Sequence, residues 1–167
     1  MDPVLLSEML DEKYTGTKGL YVHAKVPSEF AELIADLGPK LALERPDVEE
    51  LHCTLMYSRD TAPEKLPRIK TVHNALVTSV QSWVGFDKST YVVADVHSMS
   101  LIQAHAVLAR SGAEHSFASF SPHITLAKME TAPDGLDEKI ELLNRELKVN
   151  PIHVVFIGVE ASDVKGD

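Results

Sequence analysis

Hydrophobic and polar residues alternate in one short segment of the chain, and a second segment resembles it. In residues 20–26, apolar side chains occupy every second position, and Tyr21, His23 and Lys25 lie between them. This alternation is typical of a β-strand with one buried face. Residues 90–96 repeat the pattern, since both segments contain Tyr-Val-x-Ala-x-Val. The sequence therefore predicts two similar strands whose first tyrosines are 70 positions apart.

Apolar residues spaced three and four apart predict four helices. The predicted helices span residues 3–14, 28–37, 98–110 and 136–147. Ser98 is the expected N-cap of the third helix, and Gly112 is expected just after its end. Gly38 is expected to end the second helix, whose buried stripe should consist of Phe30, Leu33, Ile34 and Leu37.

Four other segments are predicted to be strands, namely residues 51–58, 72–86, 123–128 and 152–161. For residues 72–86 a helix over residues 66–80 is an open alternative, because the apolar spacing also fits a helix. Side chains two apart in a strand share a face. We therefore expect His52 and Thr54 to point the same way as Met56 and Ser58. The opposite, buried face should carry Leu51, Cys53, Leu55 and Tyr57.

A short motif follows each of the two similar strands at nearly the same distance. His52-Cys53-Thr54-Leu55 begins 31 positions after Tyr21, and His123-Ile124-Thr125-Leu126 begins 32 positions after Tyr91. With eight histidines in the chain, one His-x-Thr would carry little information. Two copies inside a repeated framework predict two pseudo-equivalent lobes, residues 20–58 and 90–128, which face each other and bring both motifs together.

Size and composition restrict the class of protein. With 167 residues, of which 44% are hydrophobic and 25% charged, the chain fits one domain of an α+β protein. We expect an N-terminal helical segment over residues 1–18 and a single bilobal domain over residues 19–167. No apolar run is long enough to span a bilayer, and the start lacks a basic signal region. One cysteine excludes an internal disulfide, so the expected location is the cytoplasm.

The net charge of −9 argues against a protein that binds long nucleic acid, because such binding depends on neutralising many phosphates. A small anionic ligand held by a few donors in a cleft is compatible with this charge. Two imidazoles can supply one neutral base and one protonated acid near pH 7. A threonine two residues after each histidine adds a hydroxyl on the same face. The paired motifs therefore predict acid–base chemistry on a phosphate without a metal.

The remaining reactive side chains have simpler interpretations. Cys53 alternates with His52 and is expected in the core rather than as a nucleophile. His97, His105 and His115 lack standard metal-ligand spacing, so we interpret them as surface histidines. No metal site or cofactor site is predicted.

The motifs resemble the two-histidine phosphoesterase superfamily, and within it the phage anti-CBASS phosphodiesterases, which degrade the cyclic nucleotides of bacterial defence signalling. The resemblance rests on Gly19-Leu20-Tyr21-Val22, on residues 51–59 (Leu-His-Cys-Thr-Leu-Met-Tyr-Ser-Arg) and on residues 121–126 (Ser-Pro-His-Ile-Thr-Leu). It implies a bilobal α+β fold in which two antiparallel sheets line a central cleft, with the helices outside. It also implies an acid–base pair, His52 and His123.

The same resemblance assigns the other expected site residues. Thr54 and Thr125 would be phosphate-oxygen donors, Tyr21 a base-contacting aromatic and Glu160 a cleft residue on the last strand. The anti-CBASS enzymes have a tryptophan close to the C-terminus, whereas this chain ends Val164-Lys165-Gly166-Asp167. If that tryptophan stacks on a base, another group must take its place here.

The expected function is a metal-independent phosphodiesterase that opens cyclic di- or trinucleotides through attack by the ribose 2′-OH. Two alternatives remain open from the sequence. The same site could act on RNA ends, 2′,5′-linked oligoadenylate or a terminal cyclic phosphate. The cleft could also bind a cyclic nucleotide without cleaving it. The expected partner in each case is a cyclic or short oligonucleotide.

Overall fold

Seven antiparallel strands form one sheet in the computed structural model, which describes residues 14–15, 18–116 and 119–164. The strands are β1 (Leu20–Lys25), β2 (His52–Ser58), β3 (His73–Val84), β4 (Thr90–His97), β5 (His123–Met129), β6 (Ile152–Phe156) and β7 (Val159–Ser162). Their order across the sheet is β6-β3-β4-β5-β2-β1-β7. The predicted strands are therefore present, and residues 73–84 form a strand rather than the alternative helix.

The helices lie in the connections between strands. They are α1 (Ser28–Ala35), the single turn α2 (Leu37–Lys40), α3 (Met99–Arg110) and α4 (Leu136–Val149), with a short 3-10 helix at Val48–Glu50. Ser98 caps α3 as expected, because its hydroxyl accepts a hydrogen bond from the Leu101 amide. The mixed α+β class is confirmed. None of the helices in the described segments is long and apolar enough to cross a membrane.

The last predicted strand is two strands. Residues 152–161 were expected to be continuous, but β6 pairs with β3 at one edge of the sheet and β7 pairs with β1 at the other. Only Ile157 and Gly158 separate them along the chain. The sheet must therefore curl, so that its two edges approach within the reach of two residues.

The expectation of two separate sheets is corrected at the centre of the molecule. β2 and β5 lie side by side and are joined through one pair, Cys53 with Ile124. That pair makes the seven strands one sheet. A single buried apolar cluster lies beneath both halves and includes Val22, Leu55 and Leu101. The two His-x-Thr strands thus occupy the middle of one curled sheet.

The register of β2 departs from strict alternation. In the pairing with β1, Val22 lies opposite Met56 and His23 opposite Thr54, so Leu55 has no partner. This bulge reverses the side chains that follow. Met56 and Ser58 are buried, and Tyr57 lies on the face of His52 and Thr54, contrary to the predicted pattern.

The same departure occurs in β5, where pairing with β4 skips Leu126 between Thr125 and Ala127. Leu126 and Leu55 are the leucines of the two motifs. A bulge adds one residue to one strand, bends it and re-aims the side chains beyond it. The repeat in the sequence therefore extends to the local backbone geometry.

The second predicted helix is shorter than expected, and its buried stripe is narrower. Leu33 was expected in the buried stripe of α1 but is 54% exposed, and α1 ends at Ala35, three residues before Gly38. The helix expected over residues 3–14 lies outside the described residues except for Tyr14, whose hydroxyl donates to the Pro63 carbonyl. The C-terminal residues 165–167 also lie outside them.

Candidate active site between the two His-x-Thr strands

Four polar side chains of the two motifs share one face of the sheet at its centre. Cys53 and Ile124 pair across β2 and β5 and are fully buried on the opposite face. Alternation places His52 and Thr54 on the other face of β2, and His123 and Thr125 on the other face of β5. Thr125 lines one cavity together with Thr54 and His123, and a second cavity together with His52. The structure thus groups the four side chains of the two motifs around Thr125.

The two histidines are held in the same way. His52 Nδ1 lies 2.8 Å from the carbonyl oxygen of Glu50, and His123 Nδ1 lies 2.9 Å from that of Ser121. In both cases the partner is the backbone two residues earlier. A carbonyl only accepts, so each Nδ1 must carry a proton. Each Nε2 can then accept a proton as a base or, in the charged ring, donate one as an acid.

An aromatic cavity of about 740 Å³ opens beside this group of side chains. Thr54, His123 and Thr125 form its polar side. Its other walls include six aromatic residues, Tyr21, Tyr57, Trp83, Phe86, Tyr91 and Phe120. Ligand sites typically combine apolar and aromatic walls with a few polar groups that fix orientation. This cavity has that composition.

A second cavity of about 590 Å³ is lined by His52 and Thr125. Tyr21 and Thr125 line both cavities, so the two meet where the motifs meet. Lys25 and Lys128 are among the residues that line the second one. The four central side chains therefore line two adjoining cavities.

Tyr21 lies within the site, as the strand alternation predicts. Its hydroxyl is 3.5 Å from the hydroxyl of Thr54, and its ring lies edge-on to Tyr57 with centroids 6.1 Å apart. Burial raises the pKa of Tyr21 above its usual value, so the phenol is protonated at neutral pH. The side chain can thus donate a hydrogen bond as well as offer a ring face.

Glu160 lies beside His23 on the last strand. It is opposite His23 on neighbouring strands, and its carboxylate is 3.5 Å from His23 Nε2. The His23 ring in turn lies edge-on to His52, with centroids 5.6 Å apart. Glu160 thus contacts a residue that lines the second cavity, His23.

Each central histidine has a different charged neighbour on the adjacent strand. Lys25 on β1 is opposite His52, whereas Asp95 on β4 is opposite His123. The Asp95 carboxylate accepts hydrogen bonds from Ser79 at 2.8 Å and Gln81 at 2.6 Å. The repeated framework therefore has opposite charges at corresponding positions.

Sequence reasoning missed two residues of this site. Tyr57 was assigned to the core, because strict alternation from His52 ignores the bulge at Leu55. Trp83, the single tryptophan of the chain, was not singled out, although its ring lies edge-on to His123 with centroids 5.0 Å apart. Trp83 is opposite Tyr91 in the β3–β4 pairing. Predicting a hairpin over residues 73–97 from the sequence would have paired Trp83 with Tyr91.

Cys53 is a core residue, as predicted. It is fully buried, and burial raises the pKa of its thiol to about 12, which excludes a thiolate at neutral pH. In the described part of the chain, no three His, Cys, Asp or Glu side chains are arranged to hold a metal ion. The chemistry available from the side chains in place is proton transfer by two imidazoles and hydrogen bonding by hydroxyls.

Comparison with known proteins agrees with the motifs. The family model described as anti-CBASS protein Acb1 matches residues 18–152. Anti-CBASS protein Acb1 of Vibrio phage KVP40 is 29% identical over 147 residues, which cover 83% of this chain and 96% of the relative. The corresponding protein of Escherichia phage RB16 is 27% identical over 152 residues, 89% of this chain and 82% of the relative.

A third relative, anti-CBASS protein Acb1 of Enterobacteria phage T4, is 32% identical over 110 residues, which cover 65% of this chain and 71% of the relative. The matched range of the family model contains both His-x-Thr motifs, both strands that precede them and Trp83. The chain belongs to the anti-CBASS protein Acb1 family.

Proposed function

We propose that this protein is a metal-independent phosphodiesterase that degrades the cyclic di- or trinucleotides of bacterial CBASS defence. The observation that carries the proposal is the matched pair of His-x-Thr motifs, with both imidazoles in the same hydrogen-bonding state on one face of the sheet. Membership of a family named for opposing CBASS supports the substrate class. In this reading the protein acts in the cytoplasm of the infected bacterium.

The sheet order supports a pseudo-two-fold arrangement of residues 20–58 and 90–128. From the centre outward, β2 is followed by β1, and β5 is followed by β4. Each pair has its bulge at the leucine of the motif. A helix connects the two strands in each half, α1 in the first and α3 in the second. A substrate phosphate on the axis between β2 and β5 would meet one histidine and one threonine from each half.

The proposed reaction uses the ribose next to the scissile phosphate as its own nucleophile. One histidine removes the proton of the 2′-OH through Nε2, and the 2′-oxygen attacks phosphorus. The other histidine donates its Nε2 proton to the departing 5′-oxygen, so that one P–O bond forms and one breaks. The hydroxyls of Thr54 and Thr125 donate to the phosphorane oxygens, where negative charge develops. The first product carries a 2′,3′-cyclic phosphate and a free 5′-OH.

The aromatic cavity would hold the base next to the cleaved linkage. The Tyr21 hydroxyl lies 3.5 Å from that of Thr54, and the Trp83 ring lies edge-on to His123 with centroids 5.0 Å apart. Stacking on aromatic rings is worth about 1–3 kcal/mol per base. If the C-terminal tryptophan of the anti-CBASS enzymes stacks on a base, Trp83 is the candidate to take its place here.

The proposal is tested by incubation with a panel of cyclic di- and trinucleotides in EDTA, with products read by mass spectrometry. We expect cleavage of at least one cyclic substrate, and a loss of at least about 100-fold in rate for His52→Ala and for His123→Ala. His153→Ala is the matched control, because His153 is exposed on β6. Cleavage of RNA ends or 2′,5′-oligoadenylate without any cyclic substrate would favour the alternative substrates. Binding without cleavage would favour a sequestering protein.

A further inference from the structure

Two histidines that do not belong to the His-x-Thr motifs, His105 on α3 and His115 in the following loop, lie against the edge of β2. His115 also lines the aromatic cavity. Both were interpreted as surface histidines, and the structure corrects this: each is partly buried and hydrogen-bonded to the backbone. Their rings are perpendicular, with centroids 5.0 Å apart. The third of that set, His97, is exposed as expected.

The backbone that these histidines bind is the part of β2 beyond its single pair with β5. The Leu55 carbonyl accepts a hydrogen bond from His105 Nδ1 at 2.7 Å. The Tyr57 amide donates to His115 Nδ1 at 3.1 Å, and the Tyr57 carbonyl accepts from the Ser116 amide at 2.7 Å. Buried backbone groups need partners. Two side chains and one loop amide therefore supply bonds that a neighbouring strand would otherwise make.

The same pair also contacts the loop that leads to His123. The His105 ring stacks on Phe120 with parallel planes and centroids 4.0 Å apart. The next residue, Ser121, provides the carbonyl that accepts from His123 Nδ1. Phe120 and Ser121 also line the aromatic cavity. A change at His105 can thus reach His123 through two consecutive residues.

The two rings have opposite hydrogen-bonding roles. His105 Nδ1 must carry a proton, since it faces a carbonyl, whereas His115 Nδ1 must lack one, since it accepts from an amide. Burial, followed by the neighbouring His105, lowers the pKa of His115 to about 4, so His115 is neutral at neutral pH. Arg59, Asp60 and Glu114 are the charged residues that line the adjacent cavity with His115.

We propose that His105 and His115 are positioning residues for the candidate active site: together they hold β2 apart from β5 beyond Cys53 and fix the loop whose Ser121 carbonyl orients His123. The proposal rests on the proposed function for its effect on catalysis. Its structural part, the hydrogen bond from the Tyr57 amide to His115, stands independently of any substrate.

The test compares His115→Leu, which cannot accept the Tyr57 amide proton, with His115→Asn, whose side-chain oxygen can. Amide hydrogen exchange of Tyr57, followed by NMR in the full chain, should accelerate at least about tenfold in His115→Leu and return towards the native rate in His115→Asn. Turnover is measured on the best-cleaved member of the cyclic-nucleotide panel. We expect kcat to fall at least about tenfold in His115→Leu and His105→Leu, with KM less affected, because the loop misplaces His123.

The control is again His153→Ala, which should keep kcat within about twofold of the native value. Native-like Tyr57 exchange and native-like kcat in His115→Leu would overturn the proposal. Equal losses of kcat in His115→Leu and His115→Asn would also overturn it, because the hydrogen bond would then not be the cause. If the unaltered protein cleaves no member of the panel, the proposed function fails, and the exchange rates still decide whether His115 holds Tyr57. If His115→Leu does not fold, His115→Asn is tested alone. A tenfold change in its Tyr57 exchange rate or in its kcat would then contradict the hydrogen bond assigned between the Tyr57 amide and His115.

Discussion

Replacing each motif threonine with valine tests the assigned role of the hydroxyls with almost no change of shape. Thr54 and Thr125 are half-buried on the site face of central strands, and both line the aromatic cavity. Valine is also β-branched and favours strands, so the fold should tolerate it. What is lost is one preset donor to a developing oxyanion. Such a loss costs about 10²–10³-fold in kcat, or about 2.7–4 kcal/mol of transition-state stabilisation.

We expect this loss in kcat for Thr54→Val and Thr125→Val, with KM changed much less, since the charge develops only in the transition state. Thr54→Ser and Thr125→Ser keep the hydroxyl and should recover most of the rate. Thr131→Val, at an exposed position after β5, is the control for a general effect of the substitution. The assay is steady-state cleavage of the best cyclic substrate, with thermal unfolding measured in parallel. A kcat within about threefold of the native value in a folded Thr125→Val variant would refute the donor role.

The remaining predictions concern binding, acid stability and Glu160. Tyr21→Ala and Trp83→Ala should each weaken binding of the cyclic substrate by about 1–3 kcal/mol, measured by calorimetry on a catalytically inactive background, with little change in melting temperature. Burial lowers the pKa of His73 and of His115, so the unfolded chain binds protons first, and stability should fall as pH decreases from about 6.5 towards 4. Discounted for its partial exposure, His115 should contribute on the order of 1 kcal/mol to this loss, which urea unfolding of His115→Asn should show as a shallower pH dependence. Glu160→Gln should change kcat by less than about tenfold, because the Glu160 carboxylate contacts His23, which is not one of the four motif side chains. A loss as large as that of His52→Ala would show that Glu160 acts directly.

Much of the site could be predicted because it depends on local patterns. The alternation in residues 20–26 determines which side chains of β1 face the core, and Tyr21 lies where that alternation puts it. The two-residue spacing of His52 and Thr54 survives because the bulge comes after them, at Leu55. The repeated distance from strand to motif reflects the repeated strand–helix–strand path. These features can be predicted from residues that are close together in the sequence.

The rest depends on contacts between distant segments. A bulge requires a particular pairing with β1, so sequence periodicity alone put Tyr57 on the wrong face. The separation of residues 152–162 into β6 and β7 depends on the curl of the whole sheet, which brings its two edges together. The ring centroids of His105 and His115 are only 5.0 Å apart, because the loop after α3 returns to β2. None of these relations is encoded in local hydrophobic spacing.

In the proposed mechanism, two histidines cleave a phosphodiester with the ribose 2′-OH as the nucleophile. The most direct measurement compares the best-cleaved cyclic nucleotide with the same molecule carrying 2′-deoxyribose at the cleaved linkage, in EDTA, with products followed from the earliest times by mass spectrometry. The ribose substrate should give a 2′,3′-cyclic phosphate first, and the deoxy substrate should bind but remain intact, because the neighbouring hydroxyl replaces a bimolecular encounter. Cleavage of the deoxy substrate at a comparable rate would mean that water attacks directly, and it would contradict the proposed mechanism.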